Sequence, residues 1–182
     1  MKKLALLIVV VTACAGVSAY GQMLNEGTME LDVFGSYDSK GAGGSQFQTG
    51  AGFGYFLIDN LEAAAAFYYY HDDYTDGYHP ALGVQYNFNL VELGLGDSDL
   101  LRKTVPFVGG NIGWGIWNID GADNIDAFVY GIEGGVKYFL ATNVALSLSV
   151  DADWSSEELW YEKDGKMADS DVAVHWGLRY FF

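Results

Sequence analysis

Six acidic side chains recur on one parity of an alternating apolar pattern: Glu30, Asp32, Glu62, Glu133, Asp151 and Asp153. Lys137, His175 and Arg179 fall on that same parity. If the chain turns this parity inward, the chemistry is that of a polar core of paired charges, because an unpaired buried charge is very costly. A sharper alternative is a narrow path that prefers cations. Glu133 and Lys137 share a face but stand about 13 Å apart along a strand, so each needs partners on neighbouring strands. His71 and His79 flank Asp72, Asp73 and Asp76. A histidine beside a carboxylate is a candidate general base or metal ligand. No third group orients either histidine in the sequence and no oxyanion donor is apparent, so the segment reads as a solvated acidic loop. No catalytic residue and no enzyme activity are expected. Asp120, Asp123 and Asp126 form a loose acidic loop that lacks the regular spacing and closing glutamate of an EF-hand. Weak cation binding is the most it offers; no dedicated metal site and no cofactor are expected.

These residues must be positioned by strands. Val172, Val174, Trp176, Leu178, Tyr180 and Phe182 alternate with Ala173, His175, Gly177, Arg179 and Phe181. A period of two with one apolar side is a strand whose apolar face is covered. The same alternation runs through seven earlier segments, beginning at Met29, Phe47, Leu61, Leu82, Phe107, Phe128 and Val144. Segments of this length match the ~9–11 residues with which a tilted strand crosses a bilayer. The links at residues 58–60 and 141–143 are short, and the link at 91–104 is longer. Those at 39–45, 71–79, 118–126 and 155–171 are polar and mostly acidic. Short turns on one side and long loops on the other predict an all-β, transmembrane, eight-stranded antiparallel up-and-down barrel, with both mature termini on the short-turn side.

Charge and cysteine narrow the setting. The 182 residues include 9 basic and 24 acidic side chains, for a net charge of −15. That balance excludes nucleic acid, which needs a basic footprint. It also argues against direct attraction to anionic headgroups. Lys2 and Lys3, an apolar run from Leu4 to Val11, and Val17-Ser18-Ala19 read as a secretory signal over residues 1–19, leaving the barrel domain at 20–182. The only cysteine, Cys14, lies inside that segment, so the mature chain has no disulfide framework. Val11-Thr12-Ala13-Cys14 also fits a lipobox, which makes a lipidated Cys14 the alternative mature terminus.

Aromatic residues gather at the strand ends. Tyr68, Tyr69, Tyr70, Trp117, Trp154, Trp160 and Tyr161 lie toward the long loops, and Tyr55, Tyr86, Phe88, Tyr138, Tyr180 and Phe182 toward the turns. Two belts separated by aliphatic residues match two membrane interfaces. A soluble sandwich core has no reason to sort its rings this way.

Three segments carry a family resemblance. They are Gly50-Ala51-Gly52-Phe53-Gly54-Tyr55-Phe56-Leu57-Ile58-Asp59-Asn60-Leu61-Glu62, Val105-Pro106-Phe107-Val108-Gly109-Gly110-Asn111-Ile112-Gly113-Trp114-Gly115, and Gly134-Gly135-Val136-Lys137-Tyr138-Phe139-Leu140-Ala141-Thr142-Asn143-Val144-Ala145-Leu146. Together they resemble the hairpins of the outer-membrane protein beta-barrel domain family, which includes the small eight-stranded barrels similar to outer membrane proteins A and X. The resemblance covers nearly all of the mature chain. It implies a place in the bacterial outer membrane, and contact with the barrel-assembly machinery, for which a terminal aromatic such as Phe182 is a signal. The expected partners are outer-membrane lipid and surface partners met through the loops, and a monomer is expected. The role so implied is structural, with surface interaction through acidic loops. The alternatives are a small cation-preferring channel and a soluble periplasmic lipocalin-like barrel. The inward charges count against the second, since a ligand cavity is mostly apolar.

Overall fold

Alternation writes the architecture directly into the backbone. The computed structural model describes residues 24–41, 44–73, 75–119, 121, 123–161 and 167–182. Eight strands form the wall: β1 (Met29–Gly41), β2 (Gly44–Ile58), β3 (Leu61–His71), β4 (Thr75–Asn87), β5 (Thr104–Ile119), β6 (Ile125–Ala141), β7 (Val144–Ser155) and β10 (Ser170–Phe181). They close in the order β1-β10-β7-β6-β5-β4-β3-β2, every neighbour antiparallel. The seam pairs β1 with β10 from Glu30↔Phe181 to Gly35↔Trp176. Met29 and Phe182 extend it with reciprocal backbone hydrogen bonds of 2.9 and 3.0 Å. Closure leaves no unpaired sheet edge. The expected signal segment, Cys14 and Asp120 lie outside the described residues.

The predicted parities hold along the wall. Val33 is 61% exposed and Trp176 59%, as are their alternate neighbours to similar degrees, while Glu30, Lys137, His175 and Phe181 are buried. Two-residue turns join β2 to β3 and β6 to β7. Asn60 takes φ 68 in the first, a left-handed conformation that asparagine tolerates.

Three local expectations are corrected. The polar segments 39–45 and 71–79 are mostly strand, because pairing continues to Gly41↔Gly44 and to His71↔Asp76. Polarity at a strand end reports water around it, and water does not interrupt the hydrogen-bond ladder. The 155–171 link carries a small hairpin, β8 (Trp160–Tyr161) with β9 (Met167–Ala168). The 91–104 link contains a short helix, α1 (Asp99–Lys103). Its signals are local: Ser98 accepts from the Leu101 amide at 3.3 Å, Asp99 sits in the first turn, and Arg102 and Lys103 in the last. Asp97 accepts two hydrogen bonds from Arg102, which hold its carboxyl below the usual range.

The belt near the long loops is also revised. Tyr70, Trp117 and Trp160 point inward and pack with Ala127, Val129 and Leu159 into an apolar layer under the mouth. Tyr68 also points inward, against His79, while Tyr69 and Trp154 remain on the outer face, where Tyr78 and Tyr130 join them. At the turn end Leu24, Phe56, Val105, Phe139, Ala145 and Phe181 form a second inner layer. The turn-end belt of Tyr55, Tyr86, Tyr138, Tyr180 and Phe182 stays exposed as expected.

Candidate functional site: the lumen

Between the two apolar layers lies a polar compartment in two tiers. The lower tier centres on Lys137 of β6, which has no solvent-exposed surface. Its Nζ donates to Glu30 Oε2 at 2.6 Å and to Glu62 Oε2 at 3.2 Å. Those carboxylates belong to β1 and β3, across the barrel from β6 and not beside it. The expectation of partners on neighbouring strands is therefore corrected for Lys137. An eight-strand interior is only wide enough for side chains to fill, so a lysine stem reaches the far wall. Phe56, Phe107 and Phe181 ring the ammonium with centroids at 5.9, 5.5 and 5.4 Å, close enough for their faces to favour the cation.

Arg179 completes this tier. β1–β10 closure sets it opposite Asp32. Its Nη1 donates to Glu30 Oε1 at 2.7 Å and its Nη2 lies 3.3 Å from Asp32 Oδ2. Gln85 links the ions by accepting from Arg179 at 3.4 Å and donating to Glu62 at 3.2 Å, and it also donates to Asn87 at 3.0 Å. Gly54 makes room for the network, because a Cβ there would collide with the Glu62 carboxylate.

The upper tier is richer in acid. Glu133 stands directly opposite Asp151 on the paired strands β6 and β7. Two residues further along, Asp153 stands opposite Asp171 of β10. His175 Nε2 lies 3.2 Å from Asp151 Oδ2, and Arg179 comes no nearer to Glu133 than 3.8 Å. Asn111 is level with Asp153 across Gly131. A cavity of about 90 Å³ opens between the tiers, lined by Asp32, Glu133, Asp151, His175, Asn111 and Tyr68 among others. Asp171 escaped the sequence reading because the acidic composition around it assigned it to a loop; extending the strand parity by one step would have found it.

The two loop histidines separate. His79 is only 2% exposed, points into the lumen and stacks on Tyr68 at 5.2 Å. The expectation that it sits in a solvated loop is overturned by the longer β4. His71 stays outside, beyond the outer belt, with Nδ1 3.0 Å from Asp76 Oδ1. Asp76 also accepts from the Tyr69 hydroxyl at 2.6 Å. Tyr69 thus orients the carboxylate that meets His71. The Tyr69 and His71 hydrogen bonds hold Asp76 below the usual carboxylate range. The trio supplies a hydrogen-bonded charge at the rim.

Strand count, closure and parity define the class: a small up-and-down barrel, apolar outside and polar within. No protein-family model matches the sequence, and no curated protein matches it. Solved structures do share its fold. The N-terminal β-barrel domain of OprF from Pseudomonas aeruginosa is 20% identical, with a TM-score of 0.62 over 86% of this chain and 98% of that one. Neisserial surface protein A (NspA) is 17% identical, with a TM-score of 0.57 over 85% and 96%. The outer membrane protein OprG from Pseudomonas aeruginosa is 14% identical, with a TM-score of 0.52 over 87% and 97%. The chain thus has the fold of small outer-membrane barrels, as the hairpin segments implied.

Proposed function

We propose that this chain is an integral barrel of the bacterial outer membrane, with a structural role and a surface-contact role carried by its acidic loops. The observation that carries this reading is the outer face. Leu31, Val33, Leu82, Ile112, Ile132, Leu148, Val174 and Trp176 are all exposed in a continuous girdle between two aromatic belts. Contiguous apolar patches on soluble monomers rarely exceed a few hundred Å². Each large apolar side chain transferred out of water is stabilised by about 1.5–3 kcal/mol. Lipid is the partner that fits a closed band of this kind. A signal at residues 1–19, export of a mature chain from Tyr20, recognition of Phe182 by the assembly machinery, and a monomeric barrel are parts of the same proposal.

The inner layers favour a structural role over conduction or carriage. Apolar side chains cap the polar compartment at both ends, and the compartment itself is charged where a lipocalin-like carrier would be greasy. The excess of acid in the upper tier is the observation that keeps a cation-preferring channel as the second reading. Cell fractionation tests the first proposal: the protein is expected in the outer-membrane fraction, released by detergent, and recovery from soluble periplasm would overturn it. Planar-bilayer recording tests the second, with silence expected. Mass spectrometry of the mature terminus is expected to give Tyr20 and not a lipidated Cys14. Whole-cell binding by loop-deleted variants tests the surface role, which fails if deletion changes no contact.

A further inference from the structure

We infer that the link between β4 and β5 is an interfacial anchor, which lays three leucines into the membrane leaflet at the turn end of the barrel and takes phospholipid acyl chains as its partner. This contact rests on the membrane role proposed above and adds a second lipid surface to the wall. Membrane barrels close their turn side with short connections, as the two-residue turns after β2 and β6 do here. Residues 88–103 depart from that rule. On this link Leu93, Leu95 and Leu100 are 60%, 64% and 64% exposed, as bare as Val33 and Leu82 of the lipid-facing wall at 61% and 64%. Large apolar side chains gathered on an otherwise polar surface mark a contact with a membrane or a partner.

The leucines are held in place by local hydrogen bonds. Asn89 Oδ1 accepts from the amides of Val91 and Glu92 at 3.2 and 3.4 Å, and Asn89 Nδ2 donates to Glu92 Oε1 at 2.8 Å. The Leu95 amide donates to the Leu90 carbonyl at 3.2 Å and the Gly94 amide to the Val91 carbonyl at 3.0 Å, the paired pattern that closes a helical turn. Gly94 takes φ 76 at that point, where a side chain would be strained. Charged groups of the second half are bound to one another, Asp97 to Arg102 and Asp99 to Lys103. The link thus brings paired charge to the headgroup level, where its apolar side chains and not its net charge must supply the attraction.

Lipid is the occupant because both feet of the link stand on the outer side of the wall. Phe88, at its start, packs edge-on against Tyr86 of the exposed turn-end belt, with ring centroids 5.1 Å apart. At its other end Thr104 shares the outward parity of Val108 and stands opposite Tyr138 of the same belt. The Thr104 hydroxyl donates to the Leu100 carbonyl at 2.8 Å, which ties the last turn of α1 to that outer side. The leucines therefore continue the band that lipid covers, at the depth where aromatic rings mark the interface.

Photolabelling of the unsubstituted full chain tests the inference. The chain is folded into phosphatidylcholine vesicles that contain a phospholipid with a photoactivatable acyl chain, and adducts are mapped by mass spectrometry. Adducts are expected at Leu93, Leu95 and Leu100 at the level found for Leu82 and Leu148 of the wall, with Asp97 spared. Leu93→Ser with Leu95→Ser and Leu100→Ser should lose the link adducts and keep those on the wall. Adducts on the wall with none on the link would overturn the anchor and leave the membrane barrel standing. Adducts on neither would overturn both. Link adducts undiminished in the serine variant would also sink the anchor, since the leucines would not be what holds it. Should that variant not fold, the adduct map of the unsubstituted chain decides alone.

Discussion

The lower tier of the lumen and the upper tier are built from the same residue types by the same alternation, yet they are electrostatic opposites. In the lower tier both oxygens of Glu30 meet a cation, one from Lys137 and one from Arg179. In the upper tier carboxylates face carboxylates across paired strands. The difference comes from reach. Lysine and arginine span the barrel and can gather acids from several strands, whereas aspartate cannot leave the wall that carries it. A polar interior is therefore organised by where its few long cations sit, and the far end of the same compartment is left with surplus acid.

The largest expected effect falls on the lower tier. Lys137→Met leaves Glu30 and Glu62 buried without their shared cation, and breaking such a pair costs about 3–5 kcal/mol. Denaturant unfolding in lipid measures it, and adding Glu30→Gln with Glu62→Gln should recover most of the loss. An unchanged stability in Lys137→Met would mean the tiers do not differ.

Next in size is a control on the outer face, which does not distinguish the tiers. Leu148→Arg near mid-wall should destabilise the membrane-inserted barrel by about 2–4 kcal/mol. A neutral result would show that lipid does not cover this side.

The upper tier should respond with the opposite sign. Asp151→Asn alone should raise stability by about 0.2–1 kcal/mol by removing one directly opposed like charge. Destabilisation on the scale of Lys137→Met would erase the contrast.

The smallest effect sharpens the comparison from outside, where water screens charge. Asp76 has its pKa lowered by Tyr69 and His71, so its contribution is present above the ordinary aspartate value and is lost as pH falls through the lowered one. Acid titration of the Asp76 carboxyl resonance should show the pair parting below about pH 4, and Asp76→Asn should change unfolding little.

Parity made much of this molecule legible. It set Glu30, Asp32, Glu62, Glu133, Asp151 and Asp153 on one side of the wall, and closure of the last strand on the first brought Arg179 to Asp32. What parity cannot carry is distance across the cylinder, so Lys137 reaching Glu30 and Glu62 was invisible. Composition also misled at the rim. Acidic segments read as loops, which hid His79 and Asp171 inside strands. Tyr70, Trp117 and Trp160 have the same chemistry whether they face lipid headgroups or cap a lumen, and only the direction of the side chain decides. The helix α1 was encoded by Ser98 and its flanking charges, but five residues are too few for a periodic signal.

The seam between β1 and β10 has a meaning in time. Arg179 and Glu30, which meet across it, are 149 residues apart in the chain. β1 is synthesised before the rest of the wall, and the edge it presents to β10 has no companion until that final strand follows. A bare strand edge is a template for wrong pairing, and contacts so remote in sequence form slowly. The last strand is thus the one that seals the first, and until it is in place the cylinder keeps one open side.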